Sequence, residues 1–406
     1  MGPLDGIRIV DFTQVVAGPV ATMLLAELGA DVIKIEYPGI GDITRSSGFS
    51  KGGMNSAVLN CNRGKRSIQI NLKEVKGREV ALDLVRDADV VVQSMRPGKI
   101  EGLGLDYKSI SKINPSAIYV SLSGYGQDGP YSGRAVYDPV LQAQCGYVSL
   151  QVNPEIPFPD LMRTAIIDKA VAWEIALSVT AALFAREKGS GGQELKIAMV
   201  DVAISFLWPD GGMAETLLDE DVEPGTHLSR LMNMTETKNG HIVYFAVTDN
   251  QIKGLYQSLG HPEWFTDPRF ATREARHTGN NNEILGTLIA DAFRGFDTHE
   301  IAQNLHEHSV PCGEVTEIAE AHRNAQIRHN QTFYEWEHPT AGKVRTPRHS
   351  TLFSKTKLAN LANAPLLNEH ADEILNELGI EKSDSCLLYT SPSPRDATLS
   401  RMPSSA

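Results

Sequence analysis

The sequence predicts an α/β protein in which a parallel sheet is covered by helices on both faces. Strand and helix patterns alternate through the first 200 residues, and the strands are short, continuous apolar runs. Such runs are typical of parallel strands that are buried on both sides. The length of 406 residues exceeds that of one ordinary domain, so we expect two domains.

The first elements are a strand, a helix and a second strand. The strands are predicted at Ile7–Phe12 and Asp31–Glu36, and the helix between them runs from about Pro19 to Leu28. Proline in the first turn and Gly29 just past the end are the residues that typically begin and end a helix. The same reasoning predicts a helix at 75–85, strands at 89–92 and 117–122, a long helix at 169–188, a strand at 194–198 and a helix from 201.

The chain is expected to leave its first domain, build a smaller α+β domain and then return. The passage at 218–240 is acidic and then turn-rich, which predicts a linker. A strand pattern at His241–Val247 begins the second unit, and mostly helical patterns follow it. The predicted organisation is a large domain at 1–217, a linker at 218–240, a small domain at 241–325 and a return to the large domain at 326–382.

The last 24 residues, 383–406, differ in composition from the rest of the chain. Seven of them are serine, three are proline and none is glycine, and no hydrophobic period is visible. This composition predicts a disordered tail. Because the tail also resembles a translated vector or assembly junction, we expect it to be non-native and leave it out of the fold prediction.

Charge and cysteine content disfavour several classes of protein. The net charge of −12 argues against nucleic acid and anionic membranes as partners, and no apolar run approaches the ~18 residues of a membrane span. The cysteines at 61, 145, 312 and 386 form no CxxC pair, which argues against a disulfide framework or a zinc ribbon. The chain opens directly into a strand pattern, so we expect a cytoplasmic protein without a signal peptide.

One local feature runs against the acidic balance. Five basic residues lie within fourteen positions, and two interpretations stay open: a solvated basic face, or a docking surface for a phosphorylated ligand. The five are Arg63, Lys65, Arg66, Lys73 and Lys76.

Two common kinds of site are disfavoured. The segment Gly124–Gly129 spells GxGxxG after a strand, but Pro130 to Gly133 continue the loop where a dinucleotide site needs a helix. We therefore expect this loop to approach a ligand or another segment closely. All twelve histidines lie at position 227 or later, so a histidine-dependent triad within the first domain is excluded unless another segment supplies the base. The pair in His306-Glu307-His308 would face different sides of a helix, so no metal site is expected.

Asp168 immediately precedes the long predicted helix. The position favours a helix N-cap, in which the carboxylate accepts hydrogen bonds from the first free amides. Such a carboxylate is expected to stay ionised, and an ionised carboxylate in a partly apolar cleft is also a nucleophile toward acyl groups. The two roles are compatible.

Taken in order, short motifs along the chain resemble those of the class III CoA-transferase family, which includes formyl-CoA and carnitine CoA-transferases and alpha-methylacyl-CoA racemase. Each motif is weak alone, but their common order over about residues 3–380 is specific. The matching stretches are Pro3–Ile7, Asp11–Thr13, Ala17–Pro19, Leu28–Glu36, Gly41-Asp42, Thr44-Arg45, Gly64–Ile68, Arg96–Gly98, Leu103-Gly104, Asn114-Pro115, Gly124–Tyr131, Tyr137-Asp138, Val310–Gly313 and Glu369-His370.

The resemblance implies a Rossmann-like large domain built from both chain ends, a smaller inserted domain and an interlocked homodimer. It places the acylated aspartate of the family at Asp168 and implies acyl-CoA and a carboxylic acid as substrates, with no permanently bound cofactor and no metal. Beside Asp168, the catalytic candidates are Gln14, whose turn at a helix N-terminus is expected to supply backbone amides to the reacting carbonyl, and Tyr137 and Asp138. For Tyr137 and Asp138 two interpretations stay open: they orient the acyl carbonyl or the incoming acid, or they serve ordinary loop packing. The residues implied to bind CoA are Val15, Val16, Ala17, Arg66, Leu72, Lys73, Ser94, Met95, Arg96 and Leu103.

Within the family, the residues favour a transferase over a racemase. The racemase branch removes an α-proton with a histidine at the position of Tyr137, and a neutral tyrosine is a poor base near pH 7. The glycine-rich lid of the formyl branch is reduced here to Gly211-Gly212, so oxalate or formate chemistry is not favoured. Two alternatives stay open: a 2-methylacyl-CoA racemase, and a catalytically silent CoA-binding homologue.

Overall fold

The structure, a computed structural model, describes residues 2–151, 160–223, 225, 227–228, 232–358 and 363–380. The predicted tail at 383–406 lies outside the described residues. The chain divides into two compact units. One contains the described residues up to Phe206 together with those from Gln331 onward, and the other runs from Leu207 to Asn330.

The described residues form strands and helices in the following order: β1 Arg8–Asp11, α1 Ala17–Glu27, β2 Asp31–Glu36, β3 Ser50–Lys51, β4 Met54–Asn55, α2 Ser56–Cys61, β5 Lys65–Gln69, α3 Val75–Arg86, β6 Val90–Gln93, α4 Tyr107–Ile113, β7 Ile118–Ser123, α5 Asp138–Gln144, α6 Tyr147–Leu150, α7 Ile166–Ala185, β8 Gln193–Ala198, α8 Met199–Gly211, β9 Asn233–Thr237, β10 Gly240–Tyr244, α9 Asp249–Ser258, α10 Arg273–Arg276, α11 Asn281–Arg294, α12 Thr298–Glu307, β11 Cys312–Glu314, α13 Ala325–His329, β12 Phe333–His338, β13 Gly342–Pro347 and α14 Ala371–Glu377.

The first unit is built on a six-stranded sheet in the order β5-β2-β1-β6-β7-β8. Every neighbouring pair in this sheet is parallel, which confirms the predicted α/β class. The chain builds outward from β1 through β2 to β5, then returns to the other side of β1 and builds outward again. The order of the strands therefore reverses between β1 and β6, and ligands of open parallel sheets bind at the carboxyl edge of such a reversal.

The core of this unit joins residues from both ends of the chain. Val10 and Ile33 from the central strands are fully buried, and Ile374 of α14 belongs to the same apolar cluster. Burying such a side chain contributes about 1.5–3 kcal/mol. The chain after Gln331 thus stabilises the sheet that the N-terminal segment forms.

The first strand of the second unit lies before the strand that the sequence predicts at His241–Val247. Residues Asn233–Thr237 form β9, which pairs antiparallel with β10 across the turn at Lys238-Asn239. The linker prediction is therefore wrong over this strand. The error arises because the residues before β9 are acidic and turn-forming, which favours a linker. Only the second strand of the hairpin, β10, has a recognisable strand pattern. β10 also pairs with β11, so the unit contains a three-stranded sheet.

Both interpretations of the basic cluster are wrong for three of its members. The Arg63 and Lys65 side chains are buried in ion pairs with Glu27 and Asp11, each 2.9 Å long. Arg66 binds carboxylates of its own unit and is discussed below. Only the remaining members, Lys73 and Lys76, are exposed.

No helix among the described residues is long and apolar enough to cross a membrane. Within those same ranges of the chain, no group of three or more histidine, cysteine or acidic side chains is arranged to hold a metal ion.

Candidate active site

A cavity of about 350 Å³ opens at the carboxyl edge of the sheet, at the reversal between β1 and β6. The loops after β1, β6 and β7 form most of its wall, and residues near the start of α7 and α8 complete it. The polar and charged side chains that line it are Gln14, Ser94, Arg96, Ser123, Ser132, Arg134, Tyr137 and Asp168. The fold therefore gathers loops that are distant in sequence around one carboxylate.

Asp168 is held at this cavity by the first turn of α7. It is the third residue of the helix and its exposed fraction is 9%. The N-cap position is occupied by Ala165, whose side chain makes no capping hydrogen bond. The prediction that Asp168 is the N-cap is wrong.

The capping carboxylate comes from α5 instead. Oδ2 of Asp138 accepts the backbone amide of Ile167 at 2.6 Å and that of Asp168 at 3.0 Å. Oδ1 of Asp138 accepts the side-chain amide of Gln142 at 2.6 Å. Asp138 is buried, and both of its carboxylate oxygens accept hydrogen bonds. It therefore holds the backbone at Asp168 and does not line the cavity.

The electrostatic environment of Asp168 also differs from the sequence expectation. Burial raises the pKa of Asp168 to about 6, and the negative charge of Asp138 adds to the rise. The positive charge of Lys169 opposes them. The expected stabilisation of the carboxylate by the helix N-terminus is outweighed, because Asp138 already occupies the amides that would have favoured the charge. At pH 7 a carboxyl group with this pKa is about 90% ionised and more basic than an ordinary aspartate.

The turn after β1 lies along the cavity. Gln14, Val15, Val16 and Ala17 all line the wall. Val16 is the N-cap of α1, and no side chain of its own closes that end of the helix. Val15 has a φ of 73°, a left-handed conformation that is uncommon for a β-branched residue.

The predicted CoA-binding residues fall into two groups. Ser94, Met95 and Arg96 follow β6 and line the cavity together with the turn after β1. Leu72, Lys73 and Leu103 do not line it. Leu72 and Leu103 pack, partly buried, against the apolar core, and the Lys73 ammonium lies 5.8 Å from the centre of the Tyr37 ring. Leu72 and Lys73 still follow the carboxyl end of β5, so they lie on the same edge of the sheet as the cavity.

Arg66 is placed differently from the prediction. It is the second residue of β5, near the amino edge of the sheet, and its guanidinium binds carboxylates of Asp31, Glu373 and Glu377. The contacts to Asp31 and Glu377 raise its pKa further above the usual range against the effect of burial. Arg66 therefore does not line the cavity. Its ion pairs join α14 to the sheet instead.

Sequence reasoning missed Arg134. The guanidinium carbon of Arg134 lies 3.6 Å from the centre of the Tyr131 ring, and Tyr131 packs edge-on against Tyr125 with 5.6 Å between ring centres. Its cation–π contact orients a positive charge at the exposed part of the cavity wall. The only sequence signal for this residue is its position directly after the glycine-rich loop.

The glycine of this loop that matters most is Gly124. A Cβ there would lie 2.0 Å from Cγ1 of Val136. The close neighbour of Gly124 is thus a side chain, whereas the expectation was a ligand or another backbone segment; a larger residue at 124 would collide with Val136, which lines the cavity.

Comparison with known proteins identifies the family of this chain. The family described as CoA-transferase family III matches residues 4–371. The chain belongs to CoA-transferase family III. The resemblance inferred from the sequence motifs is thus confirmed, and so is the prediction of an enzyme of this class.

Two CoA-transferases and one solved structure are similar to nearly the whole chain. The human succinyl-CoA:glutarate CoA-transferase is 33% identical over 93% of this chain and 86% of its own length. A formyl-CoA:oxalate CoA-transferase from Escherichia coli is 30% identical over 93% of this chain and 96% of its own length. A CAIB/BAIF family protein from Brucella suis superposes with a TM-score of 0.81 at 29% identity, covering 93% of this chain and 99% of that structure.

Proposed function

We propose that this transferase moves CoA from an acyl-CoA donor to a carboxylic acid through covalent intermediates on Asp168. The observation that carries the proposal is the position of Asp168, whose carboxylate lines the cavity while Asp138 fixes its backbone from behind. A buried carboxylate with a raised pKa that is still mostly ionised at pH 7 is suited to nucleophilic attack on an acyl carbon.

The proposed steps conserve the thioester. The Asp168 carboxylate attacks the donor carbonyl, CoA thiolate leaves, and a mixed anhydride forms. The thiolate then attacks the Asp168 carbonyl, which releases the donor acid and leaves CoA bound to Asp168 as a thioester. The acceptor carboxylate attacks that thioester, and the released thiolate attacks the acceptor's acyl carbon to form the new acyl-CoA. Asp168 is regenerated, and because one thioester replaces another, no ATP is needed.

Each attack places negative charge on a carbonyl oxygen. Donors that already point at that oxygen lower the barrier, and losing one such donor typically costs about 10²–10³ in kcat. The turn Gln14–Ala17 at the N-terminal end of α1 lines the same cavity as Asp168, so we assign the donors to its Gln14, Val16 and Ala17 amides. We assign to Tyr137, an exposed residue of the same cavity wall, the role of orienting the acyl group or the incoming acid.

The substrate acid of this proposal carries a second carboxylate. Arg134 presents a guanidinium to the cavity, and guanidinium groups bind carboxylates with two parallel hydrogen bonds. The human relative is named for succinyl-CoA and glutarate, both derived from dicarboxylic acids. We therefore expect a dicarboxylate of intermediate length to be a better acceptor than a monocarboxylate.

The proposal also includes a homodimer in the cytoplasm. The outer face of α7 carries Trp173, Leu177 and Phe184, all largely exposed within one chain. A stretch of exposed apolar side chains of this size typically marks a protein–protein interface. A second copy of the chain that covers α7 would also support the helix that carries Asp168.

The test is CoA exchange between a panel of acyl-CoAs and free carboxylates, for the wild type and Asp168→Ala. We expect exchange in the wild type that disappears in the variant, and hydroxylamine trapping at Asp168 during turnover. Loss of an α-deuteron from a 2-methylacyl-CoA without CoA exchange would instead support the racemase alternative. Binding of CoA without trapping by any donor would support the silent homologue.

A further inference from the structure

Val15 is held in a conformation that its side chain disfavours. Its φ of 73° lies in the left-handed region, where the branched Cβ crowds the backbone. Glycine adopts this conformation freely, but the cavity wall has valine here. Strained residues of this kind persist only where surrounding contacts determine them.

The contact at Val15 itself comes from Asp42. Oδ1 of Asp42 accepts the Val15 amide at 3.2 Å, and also accepts the amide and hydroxyl of Thr44 at 3.0 and 2.8 Å. The Asp42 backbone amide in turn donates to Glu36 at 2.9 Å. A carboxylate that is itself fixed on several sides therefore holds the left-handed residue.

Thr13, the residue before the turn, is held by Lys34, which also forms an ion pair with Asp42. The Lys34 ammonium lies 3.0 Å from Oδ2 of Asp42 and donates to the backbone carbonyl of Thr13 at 2.8 Å. Both charged side chains are only 1% exposed. Burial alone would lower the pKa of Lys34, but Asp11 and Asp42 raise it above the usual range, so the lysine remains charged.

Asp11 completes the anchor from the other side. Its Oδ1 accepts the amide and the hydroxyl of Thr13 at 2.8 and 2.5 Å. Thr13 and Val15 are thus both tied to buried charges, and Gln14 between them is exposed at the cavity. The buried network acts on the turn that the proposed mechanism assigns to the developing oxyanion.

We propose that Asp42, paired with Lys34, is a positioning residue that holds Val15 left-handed and thereby aims the amides of Gln14, Val16 and Ala17 at the reacting thioester. The proposal rests on the proposed CoA transfer for its kinetic consequence. Its structural consequence, the rigidity of the turn, is independent of that reaction.

The experiment compares Asp42→Asn, Val15→Gly and the double variant, with Glu27→Gln as the matched control. Glu27 is another buried, ion-paired carboxylate, and it lies at the opposite end of α1 from the turn. For each protein, the rate of CoA exchange is divided by the number of sites that become acylated. That number is measured by hydroxylamine trapping. Amide hydrogen exchange is measured by mass spectrometry on peptides that cover residues 13–18.

We expect Asp42→Asn to lower kcat by about 10–100-fold with little change in KM for the acyl-CoA, because the amides act on the transition state. Hydrogen exchange of the Val15 amide, followed in the peptides that cover 13–18, becomes at least about tenfold faster in this variant, because this amide loses its charged acceptor. In the double variant, kcat recovers to within about fivefold of Val15→Gly, because glycine adopts the left-handed conformation without the clamp. Glu27→Gln leaves kcat per site and exchange at 13–18 unchanged.

Two results would overturn the proposal: hydrogen exchange at 13–18 that is the same in Asp42→Asn and the wild type, or a loss of kcat that Val15→Gly does not recover. If Asp42→Asn does not fold, Lys34→Met takes its place with the same expectations. If the wild type itself shows no CoA exchange, the proposed function fails, while hydrogen exchange at 13–18 still decides the positioning role.

Discussion

Oδ2 of Asp138 accepts the backbone amide of Asp168 at 3.0 Å, although the two residues are 30 positions apart. The same carboxylate that fixes the start of α7 also raises the pKa of the Asp168 side chain. Position and basicity of the proposed nucleophile are therefore set by one buried group. Changing Asp138 should alter both, and the two effects are separable by experiment.

Asp138→Asn should shift the acid limb of the pH–rate profile to lower pH. Burial is the larger cause of the raised pKa of Asp168 and remains in the variant, but the charge of Asp138 is lost. Asparagine still accepts the two amides, so we expect kcat at pH 8 to fall only about tenfold, as hydrogen bonds to a neutral acceptor are weaker. The measurement is kcat/KM against pH. Gln142→Met, which removes a neutral partner of Asp138, is the control and should leave the limb in place.

Replacing Asp168 should stabilise the protein at neutral pH. The folded pKa of about 6 lies above the ordinary value of 3.8, so ionisation of Asp168 costs stability. The cost is absent below pH 3.8, grows as pH rises through the folded pKa and is complete above about pH 7, where it reaches up to about 3 kcal/mol.

Asp168→Asn removes that cost together with the activity. Urea unfolding at pH 7.5 should show a variant that is about 1–3 kcal/mol more stable than the wild type. The difference should shrink as the buffer approaches pH 4.5. A variant that is less stable than the wild type at both pH values would contradict the raised pKa.

The sheet could be predicted because its signal is local. Each parallel strand is an apolar run between helix patterns, and the burial of Val10 and Ile33 follows from the run alone. The basic cluster could not be predicted in the same way. Arg63 and Lys65 pair with Glu27 and Asp11, which lie 36 and 54 residues earlier, and a run of charge carries no information on its partners.

The site shows the same limit. Motifs spread along the chain point to Asp168, but the local pattern predicts that its own side chain caps the helix, because local patterns indicate only local acceptors. The true cap, Asp138, becomes visible only when α5 is packed against α7. Arg134 was missed for a related reason, since its orientation depends on the ring of Tyr131.

Arg134→Gln should change which acids are used rather than whether CoA is transferred. The variant loses the charge that binds a second carboxylate, so KM for a dicarboxylate acceptor should rise about 10–100-fold, the usual cost of a charge-assisted pair. KM for a monocarboxylate of the same length should stay within about threefold. Arg134→Lys is the matched control and should retain part of the preference. Equal losses for both acids would assign Arg134 to CoA instead.

Leu177→Lys should separate the proposed dimer. Leu177 is 64% exposed on the outer face of α7, and a charge placed there would be buried without a partner if a second copy covers the helix. Sedimentation velocity should show a dimer for the wild type and a smaller species, or a weaker self-association, for the variant. Val75→Lys on α3 is the control, because Val75 is 61% exposed and lies on a helix to which the proposal assigns no partner.

A wild type that sediments as a monomer at micromolar concentration would contradict the dimer. A Leu177→Lys variant that remains dimeric would place the contact on another surface, and exchange activity retained by that variant as a monomer would show that Asp168 does not need a partner chain.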